Sequence, residues 1–303
     1  MGVCANMYKS FREILNQCET SGWPFWRVIL TEDCRESGIT TTQSIRKMQS
    51  IYTAMRESDE NYDASLVSAS GLVGTDAAKL HARRRQGKLL CEDFTAGVME
   101  RALRVAESNA CMRRIVAAPT AGSCGVMPAV LLSMQERYGY SDDQMVQALY
   151  VAAGIGGVIA QRASLSGAEG GCQAEIGSAS GMAAGAAVFL LGGTQDQIAN
   201  ACAIALASIL GLVCDPVAGL VEVPCVKRNV MGAMNAVTSA DMAMAGITSR
   251  IPADEVIDAM RSVGHAMSMD LRETGRGGLA GTPTGQRIRR SVQQDARGEQ
   301  AGE

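Results

Sequence analysis

Apolar residues recur at helical spacing along most of the chain, and strand-like alternation is scarce. Ile45, Met48, Ile51, Tyr52 and Met55 follow Thr40–Thr42 at intervals of three and four, which predicts an amphipathic helix. Phe94, Val98, Ala102, Val105 and Ala106 predict another. Ser141-Asp-Asp-Gln144 and Thr194-Gln-Asp-Gln197 each read as a capping box ahead of a long apolar segment. Pro252-Ala-Asp-Glu255 places proline and acids where a first helical turn accepts them. Residues 1–60 read as short helices and Ser58–Asp63 as a loop. Ser70-Gly-Leu-Val-Gly-Thr-Asp76 reads as a glycine-rich turn leading into Ala77–Leu80. Ile115–Pro119 reads as a buried segment whose glycine loop, Thr120–Gly125, feeds a helix N-terminus, and the free N–H groups there suit an anion. The expectation is a mostly α protein: a helical N-terminal extension over 1–60, one compact catalytic domain over 61–286 with glycine-rich loops around its site, and a polar, mobile tail over 287–303.

Composition sharpens this picture. The chain has 303 residues, 47% hydrophobic but only 4% aromatic, with 33 Gly and 17 Met. Apolar volume therefore comes from small and flexible side chains, which suits closely approaching helices. The longest apolar runs, Gly181–Gly193 and Ala199–Val213, fall short of the roughly 20 residues that span a bilayer, so buried core helices are expected rather than a membrane role. A net charge of −3 (28 basic, 31 acidic residues) offers no electrostatic case for nucleic acid. The basic cluster Lys79, Arg83, Arg84, Arg85 and Lys88 reads as a solvated helix face or a docking surface. No basic-then-apolar leader is visible at the N-terminus, so the expected compartment is the cytoplasm, with the ten cysteines mostly reduced.

Three of those cysteines stand apart. Cys172 closes the small-residue run Ser166-Gly-Ala-Glu-Gly-Gly-Cys172, Cys214 opens Cys-Asp-Pro216, and Cys225 follows Pro224. They supply three thiolates and no evident fourth ligand, whereas structural zinc wants four. An iron–sulfur cluster on three thiolates leaves one iron open as a Lewis acid. The spacing alone leaves two readings open, a cluster site or buried structural thiols. Cys202 reads as a small buried hydrophobe, as do Cys4, Cys18, Cys34, Cys91 and Cys111, while Cys124 in its glycine loop is ambiguous. Only His81 and His265 exist, neither in a hydrolase or zinc-protease setting. None of Lys9, Lys47, Lys79, Lys88 and Lys227 has the surroundings of a pyridoxal phosphate lysine.

Five collinear runs carry a resemblance: Ser70–Leu80, Ile115–Gly125, Ser166–Glu175, Gly211–Asn229 and Gly278–Gly285. Over about residues 60–288 the chain resembles the α chain of the iron–sulfur-dependent L-serine dehydratases. The resemblance implies a [4Fe–4S] cluster on Cys172, Cys214 and Cys225. It implies deamination of L-serine to pyruvate and ammonia without pyridoxal phosphate, a step of amino-acid catabolism that also feeds gluconeogenesis. It further implies an all-helical catalytic domain working as an oligomer with a separate β subunit. Within it, Thr120, Gly122, Ser123, Ser166 and Gly167 are candidates for holding substrate carboxylate and amine, Glu169 for pairing with the ammonium group, and Ser70 and Thr75 for added hydrogen bonds. The base stays open between Lys227, His81 and a deprotonated Ser or Cys. Arg162 stands where the family often carries Asn, and the segment Gly298–Glu303 has no cysteine to act as a terminal ligand. Two alternatives are a related cluster lyase acting on threonine or cysteine, and a non-catalytic helical subunit with buried thiols.

Overall fold

The computed structural model describes residues 8–300, with side chains through residue 294; Cys4 lies outside the described residues. The chain is helical throughout: α1 Phe11–Ser21, α2 Phe25–Ser37, α3 Thr41–Glu60, α4 Asp76–Arg85, α5 Asp93–Ala110, α6 Val126–Tyr138, α7 Asp142–Arg162, the single turn α8 Gly167–Gly170, α9 Ser178–Leu190, α10 Gln195–Ala207, α11 Cys225–Met244, α12 Ala253–Ala266 and α13 Pro283–Gln300. Among the described residues there is no strand, only two isolated bridges. Nor is any helix there long and apolar enough to cross a membrane.

The starts of α7 and α10 carry the capping boxes expected at Ser141 and Thr194, each side chain accepting from the third helical N–H while the Gln reaches back. α9 is the centre of the molecule. Every residue from Ser178 to Leu190 except Phe189 is buried, so this helix has no solvent face and its sequence is all small or apolar. It packs against α6, α7, α10 and α11. Small residues set the distance: a methyl group on Gly185 would run into Ile155 of α7. Segment 1–60 shares this core through Phe11, Ile14, Phe25, Ile29, Met48, Tyr52 and Met55. Each such fully buried side chain contributes about 1.5–3 kcal/mol. Tyr150 of α7, itself buried, ties in α3 through a 2.6 Å contact with the Ser44 hydroxyl.

Two local expectations need revision. Ser58–Asp63 was expected as a loop, but α3 continues through Glu60. Asp59 is buried and its carboxylate accepts from Arg101 at 3.0 Å, a reward the local polarity does not reveal. Beyond residue 286 the chain continues as α13 as far as Gln300. Cys18 and Cys202 are buried as expected, whereas Cys34, Cys91 and Cys111 are only half-buried: Cys91 lies in the loop before α5 and Cys111 just past its end.

Candidate active site

The segment Cys214–Asn229, which runs from the loop after α10 into the first turn of α11, holds three buried polar side chains and the half-buried Arg228. Asp215, Glu222, Arg228 and Asn229 each reach a different part of the chain. The Asp215 carboxylate accepts the Leu279 N–H at 2.7 Å, which docks the Gly278–Gly285 run. Gly278 passes so close to this carboxylate, in a left-handed conformation (φ 57°), that any side chain there would collide with it. Glu222 accepts from the hydroxyls of Ser68 (2.8 Å) and Ser70, which anchors the loop before α4. Asn229, 1% exposed, accepts the Gly125 N–H at 2.8 Å and donates to the carbonyls of Gly122 (2.8 Å) and Cys225 (3.0 Å). It thereby fastens the Thr120–Gly125 loop to the helix start that carries Cys225. As anticipated, that loop feeds a helix, α6. Its Gly125 N–H is taken by Asn229, so it is not left free for an anion.

Arg228 makes the fourth connection. Its guanidinium donates to the Val213 carbonyl at 2.8 Å, pairs with Asp215 Oδ1 at 2.8 Å and lies beside the Cys172 thiol. Gln173 adds a staple from the Cys172 side. It accepts from Gly211 N–H at 2.8 Å and donates to the Met260 carbonyl at 3.0 Å. Cys214 is held by its own backbone, with Cys214 N–H donating to the Leu271 carbonyl and Glu273 N–H donating to Cys214, both at 2.8 Å.

These contacts bring Cys172, Cys214 and Cys225 together from three separate elements. All three are buried, at 3%, 3% and 8% exposure, and each lies within electrostatic reach of the others. Burial pushes the Cys172 thiol up to about 12 and Cys225 up to about 11, with Arg228 opposing both shifts. Cys214 is raised further by burial, by Glu175 and by the other two thiols. Among the described residues, no three His, Cys, Asp or Glu groups are gathered closely enough to hold a single metal ion. One tetrahedral ion with bonds of ~2.3 Å needs its sulfurs about 3.8 Å apart. The three thiols are therefore neighbours, but not ligands poised around one point.

Around them lie several of the candidate substrate residues. Thr120 and the fully buried Ser123 share a 3.1 Å hydroxyl contact, and Thr120 also hydrogen-bonds Glu175. A Cβ on Gly122 would come within 3.3 Å of Glu175 Oε1, and one on Gly167 within 2.6 Å of Oε2 and 2.9 Å of Cys214 Sγ. Ser166 caps the single turn α8 by accepting from Ala168 N–H at 3.2 Å. Thr75 precedes α4 in a left-handed conformation (φ 67°) and makes no side-chain cap; Glu107 caps that helix instead, accepting Asp76 N–H at 2.7 Å.

Other candidates lie elsewhere. Glu169 is exposed and lines an outer cleft of about 420 Å³ with Ser164, His265 and Arg272, since on α8 its side chain turns away from the turn that faces Cys214. The Lys227 side chain is 70% exposed, and its Nζ pairs with Asp76 at 3.2 Å. His81, five residues beyond Asp76 and so about 140° around α4, faces Glu100 at 3.0 Å, within a pair network that includes Arg84 and Arg104. The residues that organise the site and were not singled out from the sequence are Glu175, Asp215, Glu222, Arg228 and Asn229. A partial signal existed for Glu175: three residues after Cys172, it falls on the same side of a helical turn.

The model of the serine dehydratase alpha chain family matches residues 20–280. A probable L-serine dehydratase alpha chain of Bacillus subtilis is 46% identical over 94% of this chain and 95% of its own length. The L-serine dehydratase alpha chain of Peptoniphilus asaccharolyticus is 44% identical over 94% of this chain and 98% of its own. A longer L-serine dehydratase of Streptomyces coelicolor is 49% identical over 59% of this chain, a match that spans 40% of that protein. With the family's model covering most of the chain and relatives aligned from end to end, the chain belongs to the serine dehydratase alpha chain family.

Proposed function

We propose that this protein dehydrates L-serine, the product losing ammonia in water to give pyruvate, and that it does so with a [4Fe–4S] cluster held by Cys172, Cys214 and Cys225. The observation that carries the reading is the convergence of three buried thiols from three elements in a chain of this family. The donor set fits. Cys172, Cys214 and Cys225 would each hold one iron of the cluster and leave the fourth open to substrate. Gly167 leaves the space beside Cys214 that a Cβ would fill. When bound, the cluster supplies a Lewis-acidic iron toward a substrate oxygen.

The chain's own residues do the rest. Arg228 is a fixed positive charge beside Cys172 that favours the thiolate form a ligand needs. Asn229 holds the Thr120–Gly125 loop against Cys225, and the hydroxyls that this loop carries, Thr120 and Ser123, suit the substrate's polar groups. Burial by the surrounding loops excludes water, which strengthens every charged contact inside. The alpha-chain names of the end-to-end relatives, and the greater length of the Streptomyces protein, support a separate β partner. We place the enzyme in the cytoplasm, consistent with nine free cysteines among the described residues.

The test is anaerobic purification with the β partner co-expressed, followed by iron and sulfide analysis, a visible spectrum and a pyruvate assay with L-serine. Four irons per chain with serine-dependent pyruvate is the expected result. A well-folded protein without iron would overturn the reading.

A further inference from the structure

Glu175 is half-buried beside Cys214 and differs from the buried carboxylates. Glu100 and Asp59 are paired with arginines, Asp215 with Arg228 and a backbone N–H, Glu107 with two N–H groups and the Tyr62 hydroxyl, and Glu222 with two serine hydroxyls. Glu175 has only the Thr120 hydroxyl and, at 3.9 Å, the Cys214 thiol. The one charged side chain acting on it is a second carboxylate, Glu273, held in a left-handed conformation (φ 61°) by its N–H bond to Cys214. A carboxylate accepts about four hydrogen bonds, so Glu175 keeps unused acceptor capacity. The space in front of both its oxygens is bounded by glycines, Gly122 beside Oε1 and Gly167 beside Oε2. A half-enclosed anion with spare lone pairs and glycine walls, next to the thiols, is complementary to a small cation with several donors.

We propose that the Glu175 carboxylate receives the ammonium group of the amino-acid substrate and thereby selects amino acids over hydroxy acids. The assignment rests on the serine-lyase reading above and gives Glu175 the role that the sequence suggested for Glu169. An ammonium group brings three N–H donors and the charge that this carboxylate lacks. A hydroxyl in its place would leave the carboxylate unpaired in a partly desolvated site.

The test compares wild type with Glu175→Gln in the anaerobic α–β enzyme. Iron and sulfide content, the KM and kcat for L-serine, and ligand-induced changes in the visible spectrum are measured, with L-serine and L-glycerate as probes; in L-glycerate a hydroxyl replaces the ammonium group. The expected result is unchanged iron and sulfide, a serine KM raised about 10- to 100-fold, and loss of the wild-type preference for serine over glycerate in the spectral titration. Glu175→Asp should recover part of the preference. Should Glu175→Gln fail to load iron, Gly122→Ala decides. Its methyl group crowds Oε1 at 3.3 Å, and it should raise the serine KM several-fold with iron retained. Iron-loaded Glu175→Gln with wild-type KM and preference, or Gly122→Ala with unchanged KM, would overturn the assignment and leave the lyase reading intact. An iron-free wild type would overturn the lyase reading itself.

Discussion

Buried side chains fix both the centre of the helical bundle and the Cys214–Asn229 segment, yet different forces hold them. Around α9, contact is made by Ala, Gly, Val and Ile, and the helices close to the distance that Gly185 and Ile155 permit. Around Cys214–Asn229 there is little regular structure, and position is fixed by Asp215, Glu222, Arg228 and Asn229, each spanning to a distant run. Apolar packing is non-directional and tolerates compensation. Buried hydrogen bonds are directional, and losing one partner leaves the other unsatisfied. Damage to the first region should therefore appear as lost stability, and damage to the second as lost chemistry.

The sharpest way to separate the two is through the cysteines. Cys172→Ser, Cys214→Ser and Cys225→Ser should each abolish both iron binding and pyruvate formation, whereas Cys202→Ser on α10 should keep its iron and cost about 1–3 kcal/mol for a buried hydroxyl, read by denaturant unfolding. Iron retained in any of the first three would remove that position from the ligand set. Asn229→Ala comes next. It strips partners from Gly125 N–H and the Gly122 carbonyl, and should cost about 2–4 kcal/mol while lowering kcat/KM at least tenfold at a temperature where the protein is still folded. Gly185→Ala should cost about 1–3 kcal/mol by overpacking against Ile155, with iron content and KM unchanged. A changed KM there would break the contrast between the regions.

The smallest effect is expected at the Lys227–Asp76 pair. Lys79 and then Lys227 hold the Asp76 carboxyl below its usual value, so its contribution is present above pH ~4 and is lost as pH falls through the depressed folded value. Asp76→Asn should cost under about 1 kcal/mol at pH 7, since the pair is substantially exposed, and the difference from wild type should vanish near pH 2.

The two regions were also unequally legible in the sequence. The capping boxes at Ser141 and Thr194 and the apolar runs through α9 and α10 are local patterns, and the helices form where those patterns lie. Composition also anticipated the close helix approach. The staples of the site were not legible, because each joins residues distant in sequence: Asn229 to Gly122 across 107 positions, Glu222 to Ser68 across 154. Glu169 and Glu175 look alike on paper, two acids flanking Cys172 in a glycine-rich run. Only the turn of the backbone after Gly171, in a left-handed conformation (φ 75°), sends one outward and the other toward Cys214. Ser58–Asp63 misled for a related reason, since its buried acid Asp59 is satisfied by Arg101 on another helix.

The bond between Asp215 and the Leu279 N–H has a consequence in time as well as in space. It joins positions 64 residues apart, and its later half emerges from the ribosome well after all three cysteines have appeared. A nascent chain thus passes through a stage in which Cys172, Cys214 and Cys225 are all present while the Gly278–Gly285 run that docks on Asp215 has yet to be made. During synthesis all three thiols are therefore present before the run that fastens the segment carrying Cys214.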